Sequence, residues 1–269
     1  MREMQLGRKI GRQSKVITRR KLLESAFAGA TILSSPLLFA NNPTTKNIAN
    51  TCSFPEHKVP ERKVIVFSGH TTIPEKMGAL SCRCIPEYQY NDAVLSYLPP
   101  GEGIEYLLVP ASENISLKKR PQMAKECAAD LYLEIHHDSV PQEYLDTLLQ
   151  LPEDDFRWAE VRGFSLHYTE KRKVSAQSLA LAESLGNELK KFLLPDFFHH
   201  RYQDFILGDA ERAIYERNLY VTRTAEMPAV LVECGYIINP REERFLTQEE
   251  TQQRIALALH EGIKNYVGV

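Results

Sequence analysis

Two histidines and two glutamates of this chain have the residue types and the placement of a hydrolytic metal site. His70, Glu87, His136 and Glu233 each stand at the end of a short apolar run or at the start of a predicted helix. Zinc catalysis commonly uses three protein ligands, an open position for water and a nearby carboxylate that acts as a base. We therefore expect His70, Glu87 and His136 to bind Zn2+ and Glu233 to act as the general base.

Each of these residues also has a simpler structural interpretation. A loop histidine such as His70 can hydrogen-bond to backbone, and Glu87 after a proline suits the first turn of a helix, where a carboxylate complements the helix dipole. Glu233 in an apolar strand needs a partner or a metal, because an unpaired buried carboxylate is costly. His137 competes with His136, but neighbouring side chains of a strand point to opposite faces, so we expect only His136 in the site.

Apolar runs alternate with helical periodicities along residues 62–269, which predicts one α/β domain. Strands are predicted at 63–67, 105–109, 131–136, 163–169, 219–222 and 229–233, and helices after Glu87, at 116–127, at 178–194 and after a Thr247/Glu250 capping box. This order favours a single three-layer domain with a mostly parallel twisted sheet flanked by helices. Ligands of such sheets bind outside the carboxyl ends of the strands, and three of the four candidate residues follow such ends.

A basic head followed by an apolar run distinguishes residues 1–40 from the rest of the chain. They contain eight Lys or Arg and two acidic residues, and the apolar run from Ala26 to Ala40 is shorter than the ~20 residues that a spanning helix needs. The pattern predicts an export signal, and Arg19-Arg20 before Leu22-Leu23 resembles a twin-arginine signal. An uncleaved anchor and a basic tail are the alternatives. We expect a periplasmic protein without stable membrane insertion after signal cleavage.

The remaining composition limits the partners and the redox chemistry. Residues 41–61 are polar with scattered prolines and predict a linker. The whole chain has a net charge of −2 and residues 1–40 carry +6, so residues 41–269 carry −8, which argues against a nucleic-acid partner. Five cysteines stand at positions 52, 82, 84, 127 and 234. Cys127 and Cys234 are expected to be small buried thiols, and a disulfide from Cys52 to the Cys82/Cys84 loop is an alternative in an oxidising compartment.

The motifs of this chain resemble those of zinc-dependent N-acetylmuramoyl-L-alanine amidases of the cell-separation type (the Amidase_3-like family), over roughly residues 62–267. The matching positions, in chain order, are Val64–Phe67, Gly69-His70, Gly78-Ala79, Glu87 with Asn91, Leu117, Arg120, Ala124, Ala129-Asp130, Ile135-His136, Arg162-Gly163, Met227–Glu233 and Asn239–Glu243. The resemblance implies hydrolysis of the amide between N-acetylmuramic acid and L-alanine in peptidoglycan or muropeptides, for cell-wall remodelling or daughter-cell separation. It also implies that Zn2+ is the cofactor and that a division-linked activator protein is a partner.

The chain departs from the family pattern in the loop after the first histidine and at one position of the third strand. The loop reads Thr71-Thr72-Ile73-Pro74 where a Gly-rich stretch is usual, and His137 stands where a small residue is usual. Both departures bear on substrate recognition more than on the metal.

Residues 140–161 form an acidic insert. Relatives under division control carry a longer helical insert there that covers the zinc, so the resemblance suggests a reduced lid, whereas a solvated acidic loop is the plainer interpretation. Two other functions are also considered: a zinc carboxypeptidase or peptidase that acts on stem peptides, and a non-catalytic wall-binding protein. The presence of all four candidate residues argues against the second.

Overall fold

The computed structural model describes residues 62–100, 103–170, 173–196, 198–199 and 206–269. All described residues belong to one compact unit, which lies within Asn41–Val269. The predicted export signal at 1–40 and the predicted linker at 41–61 lie outside the described residues. Among the described residues, none of the helices combines the length and the apolar character needed to cross a membrane.

A seven-stranded sheet forms the centre of the domain, in the order β2-β1-β3-β7-β4-β6-β5. The strands are β1 (Arg62–Ser68), β2 (Ile104–Val109), β3 (Leu131–Asp138), β4 (Ser165–Tyr168), β5 (Ile206–Asp209), β6 (Ile214–Glu216) and β7 (Ala229–Tyr236). β1 pairs in parallel with β2 and β3, β3 with β7, and β4 with β6, whereas the β4–β7 and β5–β6 pairs are antiparallel. The predicted mostly parallel sheet is confirmed.

Helices cover both faces of the sheet. They are α1 (Glu87–Ser96), α2 (Lys119–Glu126), α3 (Gln142–Leu148), α4 (Ser175–Leu189), α5 (Tyr220–Thr224), α6 (Pro240–Leu246) and α7 (Glu249–Val267). On one face, α1, α4 and α7 pack on alternate strand residues such as Leu133 and Val232. On the other, α2 and α5 pack on the intervening residues, such as Tyr132 and Leu231. Because strand side chains alternate, this division assigns every β3 and β7 residue to one layer or the other.

The predicted strand at 219–222 is wrong, because Tyr220–Thr224 form helix α5. A run of three apolar residues followed by a threonine does not distinguish a strand from a buried helical turn. Here Val221 and Ala225, four residues apart, both pack in the cluster that α2 shares with the sheet, which is the spacing of a helix. The predicted capping box at the last helix is also wrong, since the Thr247 hydroxyl donates to carbonyls of the preceding helix α6.

The cysteine predictions require correction. Cys127 is disulfide-bonded, whereas Cys82, Cys84 and Cys234 are free thiols. The expectation of a free thiol at Cys127 is therefore wrong, and so is the alternative of a disulfide from the Cys82/Cys84 loop. Disulfide pairing requires Cα atoms within about 7 Å of each other, and sequence spacing does not show such tertiary proximity. Cys52 lies outside the described residues.

The acidic insert at 140–161 carries its own small hydrophobic core. It contains α3 and a 3-10 helix at Phe156–Glu160, and Leu148 and Trp158 are buried against Phe198 and Tyr236. The side-chain amide of Asn239 donates to the carbonyls of Trp158 and Val161, both at 2.8 Å. The insert is thus tied to the chain that follows β7.

Candidate metal centre and active site

Three of the predicted site residues come together at the carboxyl edge of the sheet. His70 lies two residues beyond β1, Glu87 is the first residue of α1, and His136 lies near the end of β3. One candidate ligand atom of each lies within 4.8 Å of the other two. Nε2 of His70 is 2.9 Å from Oε2 of Glu87, and Nδ1 of His136 is 3.0 Å from Oε1 of Glu87. The geometry therefore groups two imidazoles around one carboxylate.

Two glycines leave the space that this grouping needs. A Cβ on Gly69 would lie 2.4 Å from the ring of His136, and a Cβ on Gly78 would lie 2.5 Å from Oε2 of Glu87. His70 itself has a φ of 68°, which turns the chain sharply at the end of β1. The two glycines and the turn at His70 thus allow both imidazoles to lie close to Glu87.

Glu87 is held by neighbours that donate to it. The Ala79 amide donates to Oε2 at 3.0 Å, and the Asn91 side chain, one turn along α1, donates to Oε1 at 3.4 Å and to the Gly69 carbonyl at 3.2 Å. Burial alone would raise the pKa of Glu87, but its contacts with His136 and His70 hold that pKa well below its usual range. Glu87 is consequently an ionised carboxylate, the form that a metal requires.

Glu233 lies beside this group on the neighbouring strand. It is the register partner of His136 in the parallel β3–β7 pair, so both side chains project from the same face of the sheet. Its Oε2 is buried and, in the described part of the chain, has no hydrogen-bond partner. Burial and then the charge of Asp138 raise the pKa of Glu233 well above its usual value. The unused oxygen of Glu233 is available to a water or to a substrate group at this position.

His136 also contacts a second carboxylate, to which the sequence assigned no role. Its Nε2 is 3.1 Å from Oε2 of Glu134. Nη1 of Arg120 is 3.2 Å from Oε1 of Glu134, and the Tyr132 hydroxyl donates to that same oxygen. Burial opposes ionisation of Glu134, but the charge of Arg120 and the hydrogen bond from His136 lower its pKa to about 2. Strand alternation puts Glu134, two residues before His136, on the same face of β3, and this is the signal that the sequence offers.

His137 points away from the site, as strand alternation predicts. Its Nδ1 is 2.7 Å from Oδ1 of Asn91, and its ring packs against Tyr90 at 5.6 Å between centroids. Burial lowers the pKa of His137 to about 3, so the imidazole is neutral. Its departure from the family pattern therefore adds a buried contact to α1 rather than a group to the metal centre.

A buried chain of polar groups continues from the site toward the insert. His199 lies between two carboxylates, with Nε2 2.8 Å from Oδ2 of Asp138 and Nδ1 2.6 Å from Oδ2 of Asp196. The Tyr236 hydroxyl donates to Oδ1 of Asp196 at 3.2 Å. Burial would lower the pKa of His199, but the charge of Asp138 and the hydrogen bonds to both carboxylates raise it to about 10. Sequence patterns carried no signal for this group, since the Asp196/His199 pair is distant along the chain from Asp138 and Tyr236.

The fold and the site together define a class of protein: an α/β domain with two histidines and a glutamate clustered at the carboxyl edge of a parallel sheet, beside a buried glutamate. A family model described as N-acetylmuramoyl-L-alanine amidase (Amidase_3) matches residues 64–265. The chain belongs to this family of hydrolases.

Relatives and solved structures agree with this assignment. The chain is 25% identical over 279 residues to N-acetylmuramoyl-L-alanine amidase AmiA of Escherichia coli (strain K12), an alignment that covers 93% of this chain and 91% of that protein. It is 22% identical over 151 residues to a germination-specific N-acetylmuramoyl-L-alanine amidase of Bacillus subtilis (strain 168), covering 56% of this chain and about half, 50%, of that relative. The CwlD amidase of Clostridioides difficile, solved in complex with the GerS lipoprotein, superposes with a TM-score of 0.56 at 22% identity, covering 77% of this chain and 99% of that one. This last likeness shows the fold.

Proposed function

We propose that this protein is a zinc-dependent enzyme that hydrolyses the amide bond between N-acetylmuramic acid and L-alanine in peptidoglycan or its muropeptides. The observation that carries the proposal is the grouping of His70, Glu87 and His136 beside the unpartnered carboxylate oxygen of Glu233. Membership of the amidase family supports the choice of bond.

The donor set fits zinc. Two imidazole nitrogens and one carboxylate are a ligand set of catalytic zinc sites, which keep a fourth position open. The buried and unused oxygen of Glu233 provides an independent test of the fit, because an orphaned carboxylate oxygen is costly unless a water or a substrate completes its hydrogen bonding. His70, Glu87 and His136 would hold the ion.

The residues of the chain divide the work of hydrolysis between them. When bound, zinc acidifies water and stabilises negative charge that develops on the carbonyl oxygen. Glu233 accepts the proton of the attacking water and then transfers it to the leaving amide nitrogen, so the L-alanine amine departs neutral. The buried and unpartnered Oε2 of Glu233 is the atom that would carry the proton between the two steps.

Digestion of purified peptidoglycan by the zinc-loaded protein tests this proposal, with the products read by mass spectrometry. We expect free stem peptides that begin with L-alanine, together with intact glycan strands. Removal of zinc with a chelator should abolish the release, and Glu233→Gln should reduce it by about 10²-fold or more while zinc remains bound.

Other products would contradict the proposal. Release of terminal D-alanine instead would indicate a carboxypeptidase that acts on the stem peptides. No release from a zinc-loaded protein would point first to a closed insert or a missing activator. No release with the insert removed and the activator present would indicate a non-catalytic wall-binding protein.

We further propose that the protein acts in the periplasm after export by the segment at 1–40, during cell-wall remodelling or cell separation. The twin-arginine pattern at Arg19-Arg20 supports the export route. An activator protein is the proposed partner, supported by the lipoprotein complex of CwlD. Replacement of Arg19 and Arg20 by lysine should leave the protein in the cytoplasm, and cell fractionation measures this.

A further inference from the structure

We propose that Glu134 is a positioning residue that sets the tautomer and the orientation of His136 for the metal. The inference rests on the proposed function and extends it to a carboxylate outside the ligand set. Glu134 accepts the Nε2–H of His136, so that the lone pair of Nδ1 faces Glu87.

The two nitrogens of His136 face two different carboxylates. Nδ1 lies 3.0 Å from Oε1 of Glu87, within the group that could hold a metal, whereas Nε2 lies 3.1 Å from Oε2 of Glu134, outside that group. A neutral imidazole has one N–H, and an ionised carboxylate only accepts. With a metal among His70, Glu87 and His136, Nδ1 must be the unprotonated nitrogen, so the proton of His136 belongs on Nε2, where Glu134 receives it.

Glu134 is fixed by donors on its other oxygen. Arg120 and the Tyr132 hydroxyl both donate to Oε1, which leaves Oε2 turned to His136. Glu134 and Arg120 are both buried, with 1% and 3% of their surfaces exposed. Such a carboxylate has little freedom to rotate, and it therefore holds the imidazole plane as well as its tautomer.

Arg120 connects this arrangement to the other histidine. Its Nη2 donates to the backbone carbonyl of His70, and its Nε donates to the Ile115 carbonyl at 3.2 Å. One guanidinium thus links the turn that carries His70 to the carboxylate that orients His136. A buried ion pair such as that of Arg120 with Glu134 contributes little net stability by itself. Because this pair lies between the segments that carry His70 and His136, it fixes the positions of the two histidines relative to each other.

Carboxylates that accept a hydrogen bond from a metal-ligating histidine change the affinity of the site for its metal. A metal-ligating histidine that donates its second N–H to a carboxylate gains basicity and a fixed orientation, and loss of that partner typically weakens metal binding by 10–100-fold. The same loss is expected here for Glu134.

Glu134→Gln is the informative substitution because it reverses the hydrogen bond while it keeps the shape. Arg120 and Tyr132 both donate, so they hold the single amide oxygen and leave the amide NH2 facing Nε2 of His136. That nitrogen must then accept, which moves the imidazole proton to Nδ1 and toward the metal. We expect the zinc dissociation constant to rise 10–100-fold, measured by competition with a chromophoric chelator.

Tyr132→Phe is the matched control. It removes one donor to Oε1 of Glu134 but leaves the contact between Oε2 and His136, so the zinc dissociation constant should change less than about threefold. Equal losses of zinc affinity in both variants would show a general disturbance of the packing around Glu134 and would overturn the proposal. An unchanged zinc affinity in Glu134→Gln would also overturn it.

A measurement on the unmodified protein keeps the proposal testable if Glu134→Gln does not fold. Long-range 1H–15N correlation spectra of the zinc-loaded protein should show His136 protonated at Nε2 and unprotonated at Nδ1. Protonation at Nδ1 would overturn the proposal. A failure of the unmodified protein to bind zinc would contradict the proposed function itself, whereas tight zinc binding with an insensitive Glu134→Gln variant contradicts the positioning role alone.

Discussion

At the residue scale, the candidate metal centre depends on a glycine whose absent side chain leaves room for a proposed ligand. Gly78 has a φ of +83°, and a Cβ there would lie 2.5 Å from Oε2 of Glu87 and 2.6 Å from Cδ2 of His70. We expect Gly78→Ala to displace both side chains and to reduce zinc affinity by an order of magnitude or more, as measured by chelator competition.

Gly268 offers a control that separates the steric clash from backbone strain. Its φ of +77° is nearly the same, but an added Cβ would meet no atom within 4 Å. Gly268→Ala should therefore show only the left-handed strain of about 1–2 kcal/mol and keep its zinc affinity. If both variants bound zinc like the unmodified protein, the proposed crowding at Gly78 would be wrong.

His199 is the residue from which we expect a pH dependence of stability. Its pKa is raised from the model-compound value of 6.5 to about 10, so its interactions with Asp138 and Asp196 stabilise the fold fully below pH 6.5 and are lost as the pH rises toward 10. Removal of one partner from a buried charged group costs about 3–5 kcal/mol. His199→Asn should therefore lower the free energy of unfolding by about that amount at pH 6 and by much less at pH 10.

Urea unfolding in the presence of a chelator measures this dependence without a contribution from the metal. His260→Asn is the control, because burial lowers the pKa of His260, so its charge contributes less over this range than that of His199. An equal loss of stability at pH 6 and pH 10 in His199→Asn would show that the residue contributes packing rather than charge.

Residue types and spacing were sufficient to select the four candidate residues, but not their surroundings. His70, Glu87, His136 and Glu233 stand near element ends, where the sheet topology brings them together. Glu134 was visible only as a face-sharing neighbour of His136, because its role depends on Arg120 and on which nitrogen it contacts. Contacts between residues far apart in sequence, such as His199 with Asp138, cannot be predicted from the periodicity of apolar residues, because periodicity reports only on local secondary structure.

At the scale of elements, strands buried on both faces were the easiest to predict. β1 and β7 each contain an apolar run of four residues, β3 begins with one of three, and all three strands lie at the centre of the sheet. β5 and β6 contain four and three residues, too few to establish a period, and they were not predicted. Helix α6 was also missed, although Asn239 caps it by accepting from the backbone amides of Arg241 and Glu242.

The insert at 140–161 is the element with the most direct bearing on regulation. We propose that it acts as a reduced lid over the active site, since it packs against Tyr236 and Ile238, just beyond Glu233 on the same chain segment. Deletion of 142–158 should raise the basal turnover of muropeptides. Unchanged turnover in a folded deletion variant would contradict the lid.

Asn239→Asp tests the lid without uncovering the hydrophobic core beneath it. The substituted carboxylate can still accept from the backbone amides of Arg241 and Glu242, but it cannot donate to the carbonyls of Trp158 and Val161. We expect faster proteolytic cleavage within 140–161 and a higher basal turnover. Faster cleavage without a change in turnover would show that the insert moves but does not cover the site.

At the scale of the whole molecule, zinc should connect parts of the domain that are distant along the chain. The three proposed ligands come from the end of β1, the start of α1 and the end of β3, so one ion would join segments from His70 to His136. A ligand that binds only the folded state stabilises it by about 2.7 kcal/mol at a free concentration of 100 times the dissociation constant. For a domain of this size, each kcal/mol raises Tm by about 2–4 °C.

Thermal unfolding with zinc and with a chelator therefore distinguishes the ligands from the base. We expect zinc to raise Tm by roughly 5–10 °C at that concentration, and His136→Ala to lose this increase. Glu233→Gln should keep it in full, because the proposed base lies beside the ion and contributes no bond to it. If Glu233→Gln lost the increase as completely as His136→Ala, Glu233 would be a ligand, and the proton transfer would have to be assigned to another residue of the site.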